Sequence, residues 1–234
     1  MDITSPAFWG ALGSILVANI LLSGDNAVVI ALAARSLPPH QQKKAIVWGS
    51  GAAIVMRIGL TILAAEMLRW PWLKIIGGLL LLYIGIGLLA DGGDDDEGDL
   101  GKDDGNASMA AAVRTILVAD LVMSLDNVLA VAAAAKGNNT LLVIGLAISI
   151  PLIIFGSTLL LKVMERFPII ITLGGALLGF LAGEMIMTDP GVTARFGQPS
   201  STAIDAAGAL GAVIVVAIGL YLQKRQAAKA DASA

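Results

Sequence analysis

Two aspartates and an asparagine stand inside "DLVMSLDNVLAV" (120–131), a stretch otherwise apolar enough for the interior of a lipid bilayer. An ionised carboxylate at the centre of a membrane helix costs about 2.5–3.5 kcal/mol, so such residues mark ion or proton pathways and are expected to have partners. A second stretch of the same kind lies upstream. "NILLSGDNAVVIALAA" (19–34) and "DLVMSLDNVLAVAAAA" (120–135) align without a gap at an offset of 101, setting Asn19 against Asp120, Ser23 against Ser124, Asp25 against Asp126 and Asn26 against Asn127. Carboxylate, amide and hydroxyl oxygens suit hard divalent cations such as Mn2+, Ca2+ or Mg2+, whereas Zn2+ or Cu+ would normally bring His or Cys. The chain has no cysteine, which excludes disulfides, thiolate metal sites and cysteine nucleophiles, and its one histidine, His40, reads as a surface loop residue. Thioethers from Met123 and Met56 would tilt preference toward Mn2+, but both residues also have the plain role of filling gaps between helices.

The elements that carry these residues follow from hydropathy. The chain has 234 residues, 57% of them hydrophobic, against about 45–50% in ordinary soluble domains; its mean hydropathy is +0.84. Apolar runs at 7–34, 45–68, 72–90, 110–135, 141–161, 168–187 and 203–222 are each long enough to cross about 30 Å of hydrocarbon at about 1.5 Å per residue. The expected fold is an all-α polytopic membrane protein with seven transmembrane helices. "MDITSPAFWG" lacks the basic region of a secretory signal, so the first span is expected to remain in the mature protein. Sorted by side, Arg35, Lys43, Lys44, Lys102, Arg114, Lys162, Arg166, Lys224, Arg225 and Lys229 fall together, facing Arg69, Lys74, Lys136 and Arg195. The positive-inside rule then sets the N-terminus outside and the C-terminus in the cytoplasm of a bacterial cell membrane.

The motif alignment extends. "RWPWLKIIGG" (69–78) matches "RFPIIITLGG" (166–175) at an offset of 97, which also pairs Gly59 with Gly156 and Thr61 with Thr158. Residues 1–90 and 110–187 thus read as two copies of a three-helix unit, and 203–222 is an extra helix between an external loop (188–202) and a cytoplasmic tail (223–234). Three being odd, the second copy enters the membrane from the opposite face, an inverted repeat of the kind that places substrate at the midplane of secondary transporters. The connecting segment 91–109 is Asp/Gly-rich and holds eight of the 18 acidic residues between Asp91 and Asp104. No register of it fits an EF-hand loop, and it reads as a disordered, self-repelling cytoplasmic tether.

With the first helix centred near Leu22 and the fourth near Met123, Asp25 and Asp120 share one depth and Asp126 is level with Asn19. Two carboxylates at one depth, with a third about 9 Å along the axis, form a nest of oxygen ligands. On a regular helix Asn19, Ser23 and Asn26 share a face while Asp25 lies about 120° from Asn19, so an unwinding at Gly24 would help gather them; Leu125 stands there in the second copy. Arg57, mid-helix and opposite apolar Ile154 in the repeat, needs a carboxylate partner, and is either a tethered cation that competes with substrate or a static ion pair. Glu184, near the outer end of helix six, either guards an exit and exchanges protons or simply reaches water; Glu66 reads as interfacial. The Gly-rich helices "GGLLLLYIGIG" and "GGALLGFLAG" are accounted for by close packing.

"SGDNAVVIA", "SLDNVLAVAAAAKGN" and the acidic central linker closely resemble the TerC family of integral membrane proteins, in particular its YjbE-type branch, over residues 7–222. The resemblance implies manganese export and metal-stress resistance, with the paired intramembrane aspartates falling on Asp25 and Asp126 beside Asn26 and Asn127. Asp120 answers to Asn19 and carries no role from the resemblance. The expectation is a non-enzymatic exporter of divalent cations without a bound cofactor, whose partners are the cation, protons as a coupling ion, and the bilayer, with no nucleic acid. Two other readings stand beside it: a metal-binding accessory protein that does not transport, and an intramembrane aspartyl protease. The latter is expected to carry a G-x-G-D signature, and Leu22 occupies the position of its first glycine.

Overall fold

The structure, a computed structural model, describes residues 8–10, 12–13, 16–17, 24–67, 70–90, 105–135 and 139–233, with backbone alone at 61–67, 105–108, 125–135, 139–142 and 229–233. Among them every regular element is helical: α1 (Gly24–Arg35), α2 (Pro39–Met67), α3 (Leu73–Ala90), α4 (Gly105–Ala135), α5 (Asn139–Arg166), α6 (Ile169–Met187), α7 (Pro190–Phe196) and α8 (Ser201–Ser233). The described residues at 8–10, 12–13 and 16–17 are helical too, and Phe8 and Leu12 reach the main core.

Among the described residues, four helical stretches are long and apolar enough to cross a membrane: Leu73–Ala90, Val143–Arg166, Ile169–Met187 and Ser201–Ala228. Where helices begin and end differs from the hydropathy reading for local reasons. Pro39 opens α2, because a proline without an N–H costs nothing at a helix start, so His40 lies in a helical first turn, though still exposed. Helix α4 already begins at Gly105, inside the segment expected as linker, and α8 runs past the apolar run through "QKRQAAKA", whose residues are good helix formers. The loop after α6 contains α7, capped by Asp189, opened by Pro190 and ended by Gly197 at φ 83°. Helix α4 is continuous through Leu125, so the second copy carries no break there; residues 18–23, before Gly24, lie outside the described set.

The packing crosses between the two halves of the chain. Helix α1 lies mainly against α5, while α2 lies mainly against α4; α3 lies against α6; α2 also meets α5, and α1 meets α4. Exchange of α1–α3 with α4–α6 maps this pattern onto itself. Glycines set the closest approaches. A methyl group on Gly77 of α3 would come within 2.9 Å of Val122 on α4, and one on its repeat counterpart Gly174 of α6 within 2.9 Å of Val28 and Leu32 on α1. Helix α8 rests on α6 and α3, where a methyl on Gly183 would overlap the carbonyl oxygen of Ala207 and one on Gly179 that of Gly211. Without water to drive association in lipid, such small-residue seams let backbones touch and gain dispersion.

Candidate cation site

Helix α2 carries Arg57 well inside its length, 2% exposed, and α4 presents Asp120, 5% exposed, to it. The Arg57 Nη2 donates to Asp120 Oδ1 in a buried ion pair. Ser124 lies one turn further along α4, a spacing that puts i and i+4 on one face, and its hydroxyl donates to Asp120 Oδ2 at 3.2 Å. Both carboxylate oxygens of Asp120 are therefore engaged, one by a charge and one by a hydroxyl. Asp25 stands in the first turn of α1, where its Oδ1 accepts the backbone N–H of Asn26 at 2.8 Å, and α1 packs against both α2 and α4. Three helices from both halves of the chain thus meet here, α2 and α4 joined by the pair of Arg57 with Asp120 and α1 bringing Asp25.

The surroundings sharpen these charges. Ile54, Ile153, Val122 and Met123 are all buried in the main apolar core, and a low local dielectric strengthens charge–charge interactions and raises the cost of leaving one uncompensated. The Met123 thioether serves that apolar wall. Met56, next to Arg57, is half-buried. Asn26 is buried beside Asp25. Glu184 is half-buried near the end of α6, where Thr188 Oγ1 donates to its backbone carbonyl at 2.9 Å. Asn19 and Ser23 lie outside the described residues, and Asp126 and Asn127 are described only as helical backbone of α4. Among the described residues no three His, Cys, Asp or Glu side chains gather to hold a metal.

The chain matches the description "Integral membrane protein TerC family" over residues 4–227, nearly its whole length. It belongs to the TerC family. Among relatives, this TerC protein is 46% identical to the "Uncharacterized membrane protein YjbE" of Bacillus subtilis (strain 168) over 171 residues, 73% of this chain and 76% of that one. It is 30% identical to the "Uncharacterized membrane protein YceF" of the same organism, across 78% of this chain and 73% of that one. It is 27% identical to the "UPF0053 inner membrane protein YoaE" of Escherichia coli (strain K12), covering 72% of this chain but 35% of that longer protein. No solved structure matches.

One buried carboxylate of this TerC protein escaped the sequence reading. Asp189, fully buried, accepts backbone N–H groups from Trp72 at 2.9 Å, Lys74 at 3.0 Å and Ile75 at 3.4 Å, and from Gly191 at 2.6 Å. It caps the starts of α3 and α7 together, supplying acceptors to N–H groups that have no intrahelical partner. It also holds Trp72 at φ 73°, a conformation rare for a bulky residue. "DPG" signals an N-cap followed by proline, but the reach to α3 is tertiary and has no local signature.

Proposed function

We propose that this TerC protein exports divalent metal cations, Mn2+ foremost and Ca2+ or Mg2+ by the same oxygen chemistry, by alternating access at the junction of its two halves. The observation that carries this reading is the buried guanidinium of Arg57 seated against Asp120, where α2 and α4 meet α1, the helix of Asp25. An internal cation already sits where a metal ion would be drawn. On metal entry the carboxylates of Asp25 and Asp120 turn to the ion, with Asn26, Asn19 and the Asp126–Asn127 pair of the second motif completing an oxygen shell, and Arg57 swings away. On release Arg57 returns, so the empty site never leaves carboxylates buried and unpaired, which would cost about 3–5 kcal/mol.

The transport cycle draws on the architecture. Contacts that map onto themselves when α1–α3 and α4–α6 are exchanged support a duplicated three-helix unit; in the proposed cycle the two units are inverted, with seven spans in all, the N-terminus outside and the C-terminus in the cytoplasm of a bacterial cell, as the charge distribution suggests. In such a frame the units rock about a fixed midplane site. Outward movement of a divalent cation against a negative-inside potential is uphill by about 2.3 kcal/mol per charge per 100 mV, so the cycle needs a coupling ion, and protonation of an aspartate on metal release supplies one. Mn2+ uptake into everted vesicles tests the assignment: Asp25→Ala and Asp126→Ala are each expected to abolish it, and unchanged uptake in both would remove the site.

A second reading, a metal-binding accessory protein that does not transport, is favoured by the full engagement of both Asp120 oxygens, as in a static structural pair. Purified protein in liposomes loaded with a metal-sensitive dye separates the two, since an accessory protein passes no Mn2+.

A further inference from the structure

A cavity of about 210 Å³ opens between the first turns of α2 and the last turns of α5, with Lys43 and Lys162 on its rim, Glu165 beside them, and Ile46 and Leu161 in its floor. Its place is far along both helices from the Arg57 centre. Among the described residues no ion pair joins Glu165 to Lys43 or Lys162, so Glu165 neutralises neither lysine through a direct contact. The rim carries two ammonium groups against one carboxylate, and Lys44 and Arg166 follow Lys43 and Glu165 directly in sequence. A cation path would not be lined this way; the chemistry is that of an anion receptor.

What lies beneath the lysines says which anion. Val47 is one helical turn from Lys43 on α2, and Leu159 and Phe155 are three and seven residues before Lys162 on α5, spacings that hold each set on one face. All three are exposed, Phe155 at 69%, as is Trp48 on α2. An apolar track therefore runs from the cationic rim along both helices toward the membrane interior, with a tryptophan of the kind found at membrane interfaces beside it. A free phosphate needs the rim alone, whereas a phospholipid uses rim and track together. Basic pockets between membrane helices on the cytoplasmic side are where anionic headgroups bind.

We infer that the α2–α5 cavity is a binding site for an anionic glycerophospholipid, its phosphodiester held between Lys43 and Lys162 and an acyl chain laid along Val47, Leu159 and Phe155. The site rests on membrane residence and on no step of transport. A lipid bound there bridges the two halves of the chain, since α2 and α5 belong to different halves.

The test uses the full chain purified in a neutral detergent, with thermal unfolding followed as lipid is added. Phosphatidylglycerol is expected to raise the midpoint by roughly 5 °C, the size a ligand well above its dissociation constant gives a chain of this length. Phosphatidylcholine and inorganic phosphate should leave it unmoved. Lys43→Gln with Lys162→Gln should remove most of the rise, Glu165→Gln should preserve or enlarge it, and Lys224→Gln with Arg225→Gln, at the end of α8, should leave it intact. If the double lysine variant does not fold, each single variant should retain less co-purified phosphatidylglycerol by native mass spectrometry than the unsubstituted chain. An equal response of the lysine variants, equal retention, or an equal rise with phosphatidylcholine or phosphate would overturn the assignment. None of these readouts depends on metal, so the failure of export and the failure of this site are separately visible.

Discussion

Two regions of the bundle are close-packed by opposite means. Where α6 meets α8 and α3, glycines bring backbones together: Gly179 lies against Gly211, Gly183 against Ala207, and Gly78 against Ala182. Where α1, α2 and α4 meet, the centre is Arg57, Asp120, Ser124 and Asp25 inside an apolar wall. Dispersion between small residues falls off within a fraction of an ångström and has one geometry, so the glycine seam is suited to a rigid body. An ion pair can be exchanged for another ion pair at little net cost provided no charge is stranded, so the polar centre is suited to change state. What holds the two regions together thus differs, close contact in one and exchangeable charge in the other.

The polar centre should give the largest effect when broken on one side only. Arg57→Leu strands Asp120 in the core and is expected to cost about 3–5 kcal/mol, whereas Arg57→Leu with Asp120→Leu should recover most of that loss. A double-substitution cycle measured by thermal unfolding in detergent checks this; additive losses would show that the pair is not coupled and would remove the contrast with the seam. The seam should respond next. Gly183→Leu pushes a side chain into the backbone of α8 and is expected to cost about 1–3 kcal/mol, with no rescue by any single change at the polar centre. Rescue by Ala207→Gly is excluded as well, because the obstruction is the Ala207 carbonyl oxygen and not its methyl group.

Much of this was legible in one dimension. The apolar runs at 72–90 and 168–187 correspond to helices at Leu73–Ala90 and Ile169–Met187, because a long apolar run bounded by Trp-Pro or Phe-Pro has few ways to be anything but a helix. Arg57 declared its need for a carboxylate by being the only charge in the middle of its run, while the choice of Asp120 over the other aspartates is a matter of how α2 lies on α4. Hydropathy marks where a helix can sit in lipid and says nothing of where its hydrogen bonding stops, which is why α8 outran its apolar segment. The glycines at 175, 179 and 183 recur every four residues and foretell a seam, but Gly211 and Ala207 as its other side are not written locally. Asp189 is the extreme case: its acceptors serve residues 114–117 positions away.

Met123 provides the finest test of the boundary between the two kinds of packing, because it sits one residue from Ser124 and in the apolar core at once. If its thioether only fills the wall around the ion pair, Met123→Leu keeps volume and hydrophobicity and should cost under about 1.5 kcal/mol. If the chain exports Mn2+ as proposed, it should also leave the selectivity among Mn2+, Ca2+ and Mg2+ in the vesicle assay unchanged, since a packing residue touches no ion. A sulfur that turns inward when Arg57 moves would behave differently: the same substitution would spare stability but narrow the gap between Mn2+ and the harder cations, because a soft ligand favours Mn2+ among the three. With stability little changed in either case, selectivity alone tells whether Met123 is a packing residue or an ion ligand, and its burial in the same core as Val122 favours packing.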